Sequence, residues 1–225
     1  MKYTGWKLMV LVAAIASIGW AADNEDPGRG VARVSLINGD VSVRRGDSGD
    51  WVAAGLNAPL VAGDQLLTGS GSRAELQFDW ANVARLSSDA EVHLADLESN
   101  RYTLQLARGT ATFSVLRDND AQLEIDTPSV SVRPLRKGDY RIYVADSGEV
   151  EITVRSGEAE VFTPQGSESL GAGKTMVARG PASDPEFQVR SAVAYDDWDR
   201  WNTERNQYFD RTASYQYVDS SVYGA

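Results

Sequence analysis

The feature that constrains this chain most is a strict alternation of apolar and polar residues, in short stretches, from Val34 onward. Successive side chains of an extended chain point to opposite sides, so period two marks strands with one buried face. Ala74, Leu76 and Phe78 alternate with Glu75, Gln77 and Asp79, and Tyr102, Leu104 and Leu106 with Thr103 and Gln105. The pattern returns at Ala111, Phe113 and Val115, at Val130 and Val132, and at Val150, Ile152 and Val154. Turn formers separate these stretches: Asn38-Gly39-Asp40, Gly63-Asp64, Gly69-Ser70-Gly71, Gly138-Asp139, Asp146-Ser147-Gly148 and Ser156-Gly157. No stretch from 30 to 180 keeps a helical period for long. A weak repeat, in which glycine and an acid or threonine launch a strand, recurs at Gly39, Gly109, Gly148 and Gly157. Short strands at such spacing suit either a sandwich or a solenoid.

The N-terminus has a different design. Lys2 and Lys7 precede an apolar run from Leu8 to Trp20, with small residues at Gly19 and Ala21 and acids from Asp23 onward. This is the layout of a signal peptide over residues 1–21, cleaved after Ala21 or Ala22. A run of about 13 residues is short against the roughly 20 that span a bilayer, which weighs against an uncleaved anchor. Removing the segment takes away two lysines and no acid, so the formal charge moves from −10 to −12. An acidic chain is a poor partner for nucleic acid or anionic lipid. With no cysteine, the protein has neither disulfides nor a lipidated N-terminal thiol.

Several motifs imitate active sites and fail on spacing or chemistry. Gly171-Ala172-Gly173-Lys174-Thr175 resembles the end of a phosphate loop, but the first glycine is replaced by Glu168, and a strand pattern follows where a helix is required. Gly46-Asp47-Ser48-Gly49-Asp50 imitates a nucleophilic serine elbow without the final glycine, and the single histidine, His93, sits in a strand-like segment. One histidine and no cysteine argue against zinc, iron or haem, so no cofactor is expected. Arg117-Asp118-Asn119-Asp120 reads as a solvated turn, since it lacks the glycine and distal acid of a calcium loop. No catalytic constellation is complete. The competing expectation is a carbohydrate-active enzyme using Asp118 or Asp120 with Arg117.

After Gly180-Pro181 the composition changes. The expected divisions are a β domain over 31–180, a linker over 181–191, an amphipathic helix over 192–213 capped by Ser191, and a tyrosine-rich tail over 214–225. Tyr195, Trp198, Trp201 and Tyr208, with Phe209, form an aromatic stripe along this helix. Docking of Trp198 and Trp201 against the β body is the favoured reading. Trp198, Trp201, Tyr208, Tyr215 and Tyr217 are also the candidate partner-binding residues, because exposed aromatic faces stack on sugar rings.

The order of features from Ala107 to Val177 is similar to a FecR-like domain of the bacterial periplasm. The run Gly109-Thr110-Ala111-Thr112-Phe113-Ser114-Val115 is followed by Leu123-Glu124-Ile125-Asp126-Thr127-Pro128 and by Gly138-Asp139-Tyr140-Arg141-Ile142-Tyr143-Val144. It closes on Gly171-Ala172-Gly173-Lys174, and Leu60-Val61-Ala62-Gly63-Asp64 resembles the pattern upstream. The resemblance implies an all-β, twisted, solenoid-like domain followed by one aromatic amphipathic helix. It also implies a binding role. Best-known members relay a signal from an outer-membrane receptor to a cytoplasmic sigma factor, which needs a cytoplasmic domain. Only about seven residues precede the apolar run, so that relay is not expected here. The expectation is a non-enzymatic exported binding or scaffold module, periplasmic or secreted, with an envelope protein or polysaccharide as ligand. A periplasmic signalling component served by a partner's cytoplasmic part is the other alternative.

Overall fold

The computed structural model describes residues 30–46, 48–180 and 183–211. The expected signal peptide and the tail with Tyr215 and Tyr217 lie outside the described residues. The described residues are mostly β, with 56% of them in strands, and hold one helix. The strands are β1 (Ala32–Asn38), β2 (Val41–Arg44), β3 (Trp51–Ala53), β4 (Pro59–Leu60), β5 (Gln65–Thr68) and β6 (Arg73–Gln77). Next come β7 (Asn82–Leu86), β8 (Glu91–Leu97), β9 (Arg101–Val115), β10 (Gln122–Asp126), β11 (Ser131–Pro134) and β12 (Gly138–Val144). The last are β13 (Val150–Ser156), β14 (Glu158–Thr163), β15 (Gly166–Gly171), β16 (Lys174–Arg179) and β17 (Glu186–Ser191), followed by helix α1 (Asp197–Arg211).

Pairing divides the strands into two open layers. The first runs β4-β1-β6-β7-β9-β12-β13-β16-β17. The second runs β3-β2-β5-β8-β9-β10-β11-β14-β15, antiparallel except for the parallel β9–β10 pair. Hairpins go to both layers along the chain: β6–β7 to the first, β8–β9 and β10–β11 to the second, β12–β13 to the first, β14–β15 to the second and β16–β17 to the first. β9 belongs to both. Its early half pairs with β8 and β10, and from Gly109 onward it pairs with β12. That crossing needs glycine: φ is +83°, and a Cβ there would lie 2.5 Å from the Ala90 Cα.

Alternation now has its physical cause. Val34, Leu76, Leu86, Phe113, Tyr140, Ile142, Ile152 and Met176 of the first layer face Leu66, Val92, Leu104, Ile125, Val132 and Val161 of the second, and all are buried in one core. A two-layer packing of this kind leaves each layer an outer face, which the alternating polar residues occupy.

Residues 181–191, expected as a linker, include β17, which pairs with β16 along its length. The helix begins at Asp197, five residues after the expected Ala192. The cap is Asp196, not Ser191: its Oδ1 accepts from the Asp199 N–H at 3.0 Å, and Asp199 Oδ2 accepts from the Asp196 N–H at 3.2 Å. This reciprocal box satisfies two backbone donors at the helix start. The face turned to the sheet also differs from the aromatic stripe. Trp198, Asp199, Asn202 and Phe209 are buried, whereas Tyr195 and Tyr208 are each 51% exposed.

Candidate functional site: a capped face and an open face

Helix α1 covers the outer face of the first layer, and it does so mainly through charge. Arg85, with no exposed side-chain surface, donates from Nε to Glu75 Oε2 at 2.7 Å and from Nη1 to Asn206 Oδ1 at 2.6 Å. Its Nη2 is buried without a hydrogen-bond partner among the described residues. Glu75 also accepts from Arg205 Nη2 and from the Ser35 hydroxyl, both at 2.7 Å. Asp139 accepts from Ser114 Oγ at 2.6 Å and from Asn206 Nδ2 at 2.8 Å. Burial raises the Glu75 carboxyl, but hydrogen bonds from Arg205 and Arg85, together with the Arg85 charge, outweigh it and hold the group below its ordinary value of 4.5.

A second cluster anchors the start of the helix. Asp199 accepts from Arg141 Nη1 at 2.9 Å and from Arg155 Nη2 at 2.7 Å. Asp196 accepts from Arg141 at 2.7 Å. Burial raises the Asp196 carboxyl, and the Asp199 amide with the Arg141 guanidinium brings it below its ordinary 3.8. Trp198 lies between the clusters and donates its indole N–H to Thr112 Oγ1 at 2.9 Å. It stacks on Trp201 with centroids 5.1 Å apart, and Arg73 lies over both rings. Phe209 closes the far end against Val83 and Leu116.

The outer face of the second layer has no helix over it among the described residues. Cross-strand register aligns one row across it: Trp51, Arg44, Gln65, His93, Gln105, Asp126, Ser131 and Phe162. At about 4.8 Å per strand, the row is about 34 Å long. Its members are half-buried or exposed. Arg44 stacks on Trp51 at one end and Arg133 on Phe162 at the other. Between them His93 Nδ1 contacts Gln105 Oε1 at 3.0 Å, and Ser131 donates to Asp126 at 2.5 Å.

Residues 64–160 match the family model described as FecR protein. The chain carries a FecR domain. The matched segment runs from the turn before β5 into β14, and the flanking strands β1 and β15–β17 pair into the same two layers, so the folded body is wider than the match. The chain is also similar to two crystal structures, at 2.50 and 1.65 Å, of a candidate anti-sigma factor from Parabacteroides distasonis ATCC 8503. Each shares 17% identity and a TM-score of 0.49, and the likeness covers 58% of this chain and 60% of that one, less than two thirds of its length. A search of the curated proteins finds no match.

Within and around the FecR domain, the residues singled out by sequence fall in different places. Trp198 is 6% exposed and holds the helix to the sheet; Trp201 is half-buried beside it, and Tyr208 lies on the helix's outward side. Asp118 and Asp120 are exposed on the turn between β9 and β10, where Arg117 lies over the Trp80 ring and Asn119 accepts from the Ala121 N–H. Gly171 ends β15 and Lys174 and Thr175 begin β16, so the stretch is a two-residue turn that carries the chain from the second layer to the first. No cluster of three or more His, Cys, Asp or Glu suited to a metal occurs among the described residues. No helix among them is long and apolar enough to cross a membrane. A hollow of about 250 Å³ beside the helix start is lined by Thr110, Arg141, Tyr143, Glu151, Thr153 and Val193. Sequence reasoning missed Glu75, Arg85, Arg141 and Arg155, because an outward position on a strand gives no sign that a distant helix will cover it.

Proposed function

We propose that this protein is a non-enzymatic, exported FecR-like module of the bacterial envelope that binds an extended envelope polymer, with a polysaccharide favoured over a protein. The observation that carries the reading is the open row on the second layer. It offers amide, imidazole and hydroxyl groups, with the guanidinium of Arg44 and the carboxylate of Asp126, from strand to strand between a tryptophan and a phenylalanine, on a surface whose opposite side is closed by α1. Hydrogen-bonding side chains with aromatic ends suit sugar hydroxyls and ring faces. Export rests on the charge layout of residues 1–21. From β10 onward the hairpins go in turn to the second and first layers, and β14–β15 and β16–β17 each pair beside the preceding hairpin of their layer, which supports the solenoid-like description. Trp201 and Tyr208 on the helix offer a second aromatic contact.

Retention of isolated peptidoglycan, envelope polysaccharides and envelope proteins by the immobilised protein tests this reading. Wild type should retain one of these classes, His93→Glu/Gln105→Glu should lose it, and Trp201→Ala should change it less. No retention, or retention indifferent to the open-face variant, rejects it. The FecR domain also supports a signalling reading, in which the ligand's arrival is passed to a partner protein. An enzyme acting through Asp118 or Asp120 and Arg117 remains the contrasting reading, and turnover of envelope glycans abolished by Asp120→Asn would favour it.

A further inference from the structure

Both layers are open, so each ends in strands with one unpaired side. Three of the four ends are blunted. β3 and β4 have three and two residues, and β15 is flanked by glycines with Glu168 as its single charge. β17 is different: six residues, Glu-Phe-Gln-Val-Arg-Ser, with no internal glycine or proline and no described strand on its outer side. Val189 on this strand is 49% exposed, and Phe187, packed on the core, is half-buried. An edge of this length and apolarity is a template for another strand.

We propose that the protein forms a two-fold homodimer by antiparallel pairing of β17 with β17 of a second copy, with Gln188 on the axis. Two independent observations select this register. The first is backbone phase. The Ala192 N–H donates to the Gly173 carbonyl at 2.9 Å, continuing the β16–β17 ladder in which Arg190 opposes Thr175 and Gln188 opposes Val177. In an antiparallel ladder, alternate residues bond inward, so Ala192, Arg190, Gln188 and Glu186 face β16 and Phe187, Val189 and Ser191 direct their backbone groups outward. A second β17 bonds those outward groups when Phe187 opposes the partner's Val189, which is the register centred on Gln188.

The second observation is charge. That same register places Glu186 opposite the partner's Arg190, twice by symmetry, and no other two-fold register of the strand brings these opposite charges face to face. Glu186 makes no ion pair within 4 Å among the described residues, its cross-strand neighbour Arg179 being bridged to Glu149 and only felt by Glu186 at longer range, whereas Arg190 pairs with Glu151 at the layer surface, with its side chain 44% exposed. On the inner side, each Val189 would be covered by the partner's Phe187. The isologous arrangement is the one expected of a self-complementary patch. Helix α1 lies over β6, β7, β12 and β13, so it does not obstruct the edge.

The sequence has no cysteine, which makes Gln188→Cys a single-thiol probe. A residue on the axis of a non-hydrogen-bonded pair has its Cα about 4.5 Å from its mate, within the roughly 4.4–6.8 Å a disulfide spans. Under mild oxidation, Gln188→Cys should form a cross-linked dimer at least about tenfold faster than Asp146→Cys on an exposed turn, because pairing raises the local thiol concentration. In sedimentation, Arg190→Glu should shift the protein towards monomer, and Glu186→Arg/Arg190→Glu should restore the dimer. The double variant separates the intermolecular pair from the lost contact with Glu151. Cross-linking of Gln188→Cys no faster than the turn control, or a double variant as monomeric as the single one, overturns the proposal.

Discussion

Replacing Glu75 with glutamine removes the one anion shared by Arg85, Arg205 and Ser35 beneath α1. The Glu75–Arg85 pair has no exposed side-chain surface. Removing one partner of such a pair costs about 3–5 kcal/mol, because the other charge stays buried and uncompensated. The helix offers a way out of that cost. Trp198 and Phe209 are the apolar anchors of its docking, and their burial contributes about 1.5–3 kcal/mol each, or about 3–6 kcal/mol together. The two quantities are similar, and Arg85 projects from the outer face of β7, so lifting the helix lets its guanidinium reach water without disturbing the strands. Glu75→Gln should therefore undock α1 while the sheets persist. Hydrogen exchange is the assay. Amides of 200–209 should lose protection by several orders of magnitude, and those of β7, β9 and β12 should keep nearly all of theirs. The reasoning fails if the helix amides stay protected, or if helix and strands lose protection by the same amount.

Acid should act on the same contact. Glu75 and Asp196 both titrate below their ordinary values in the folded protein, so their contribution is fully present above the unfolded values and is lost as pH falls through the folded ones. Helix protection should be constant from neutrality to about pH 5 and fall below about pH 4, as exchange or near-ultraviolet circular dichroism would record. Trp198→Phe, which keeps the ring but loses the bond to Thr112, should cost about 1 kcal/mol in chemical denaturation, and Trp198→Ala about 3–5 kcal/mol. Gly109→Ala should lower stability by at least about 1–3 kcal/mol from backbone strain alone, and more because its Cβ would meet the Ala90 backbone.

The β body was legible because alternation is a local signal and the two layers use it directly. Leu104 and Leu106, or Ile152 and Val154, point inward wherever their strands pair. The partition into two layers was not legible, since it depends on β9 crossing between them at Gly109, and a glycine before an alternating strand looks like any other strand start. The helix was found from its aromatics, and the docking of Trp198 was expected, but the polar part of its buried face was not. Asp199, Asn202 and Arg205 look like solvent-facing residues until the arginines and acids of β6, β7, β12 and β13 stand opposite them. β17 was read as linker because the six residues after Pro185 carry no strong pattern, and their pairing with β16 is a tertiary fact. Of the candidate binding residues, aromatic content pointed to the helix, whereas the open row on the second layer joins residues from eight strands and has no linear trace.

The most direct test of the account is a hydrogen-exchange footprint of the protein saturated with whichever envelope fraction it retains. Binding at the open face predicts added protection in β8, β9, β10 and β11, around His93, Gln105, Asp126 and Ser131, with α1 unchanged. Protection confined to α1, or absent from the second layer, would contradict it.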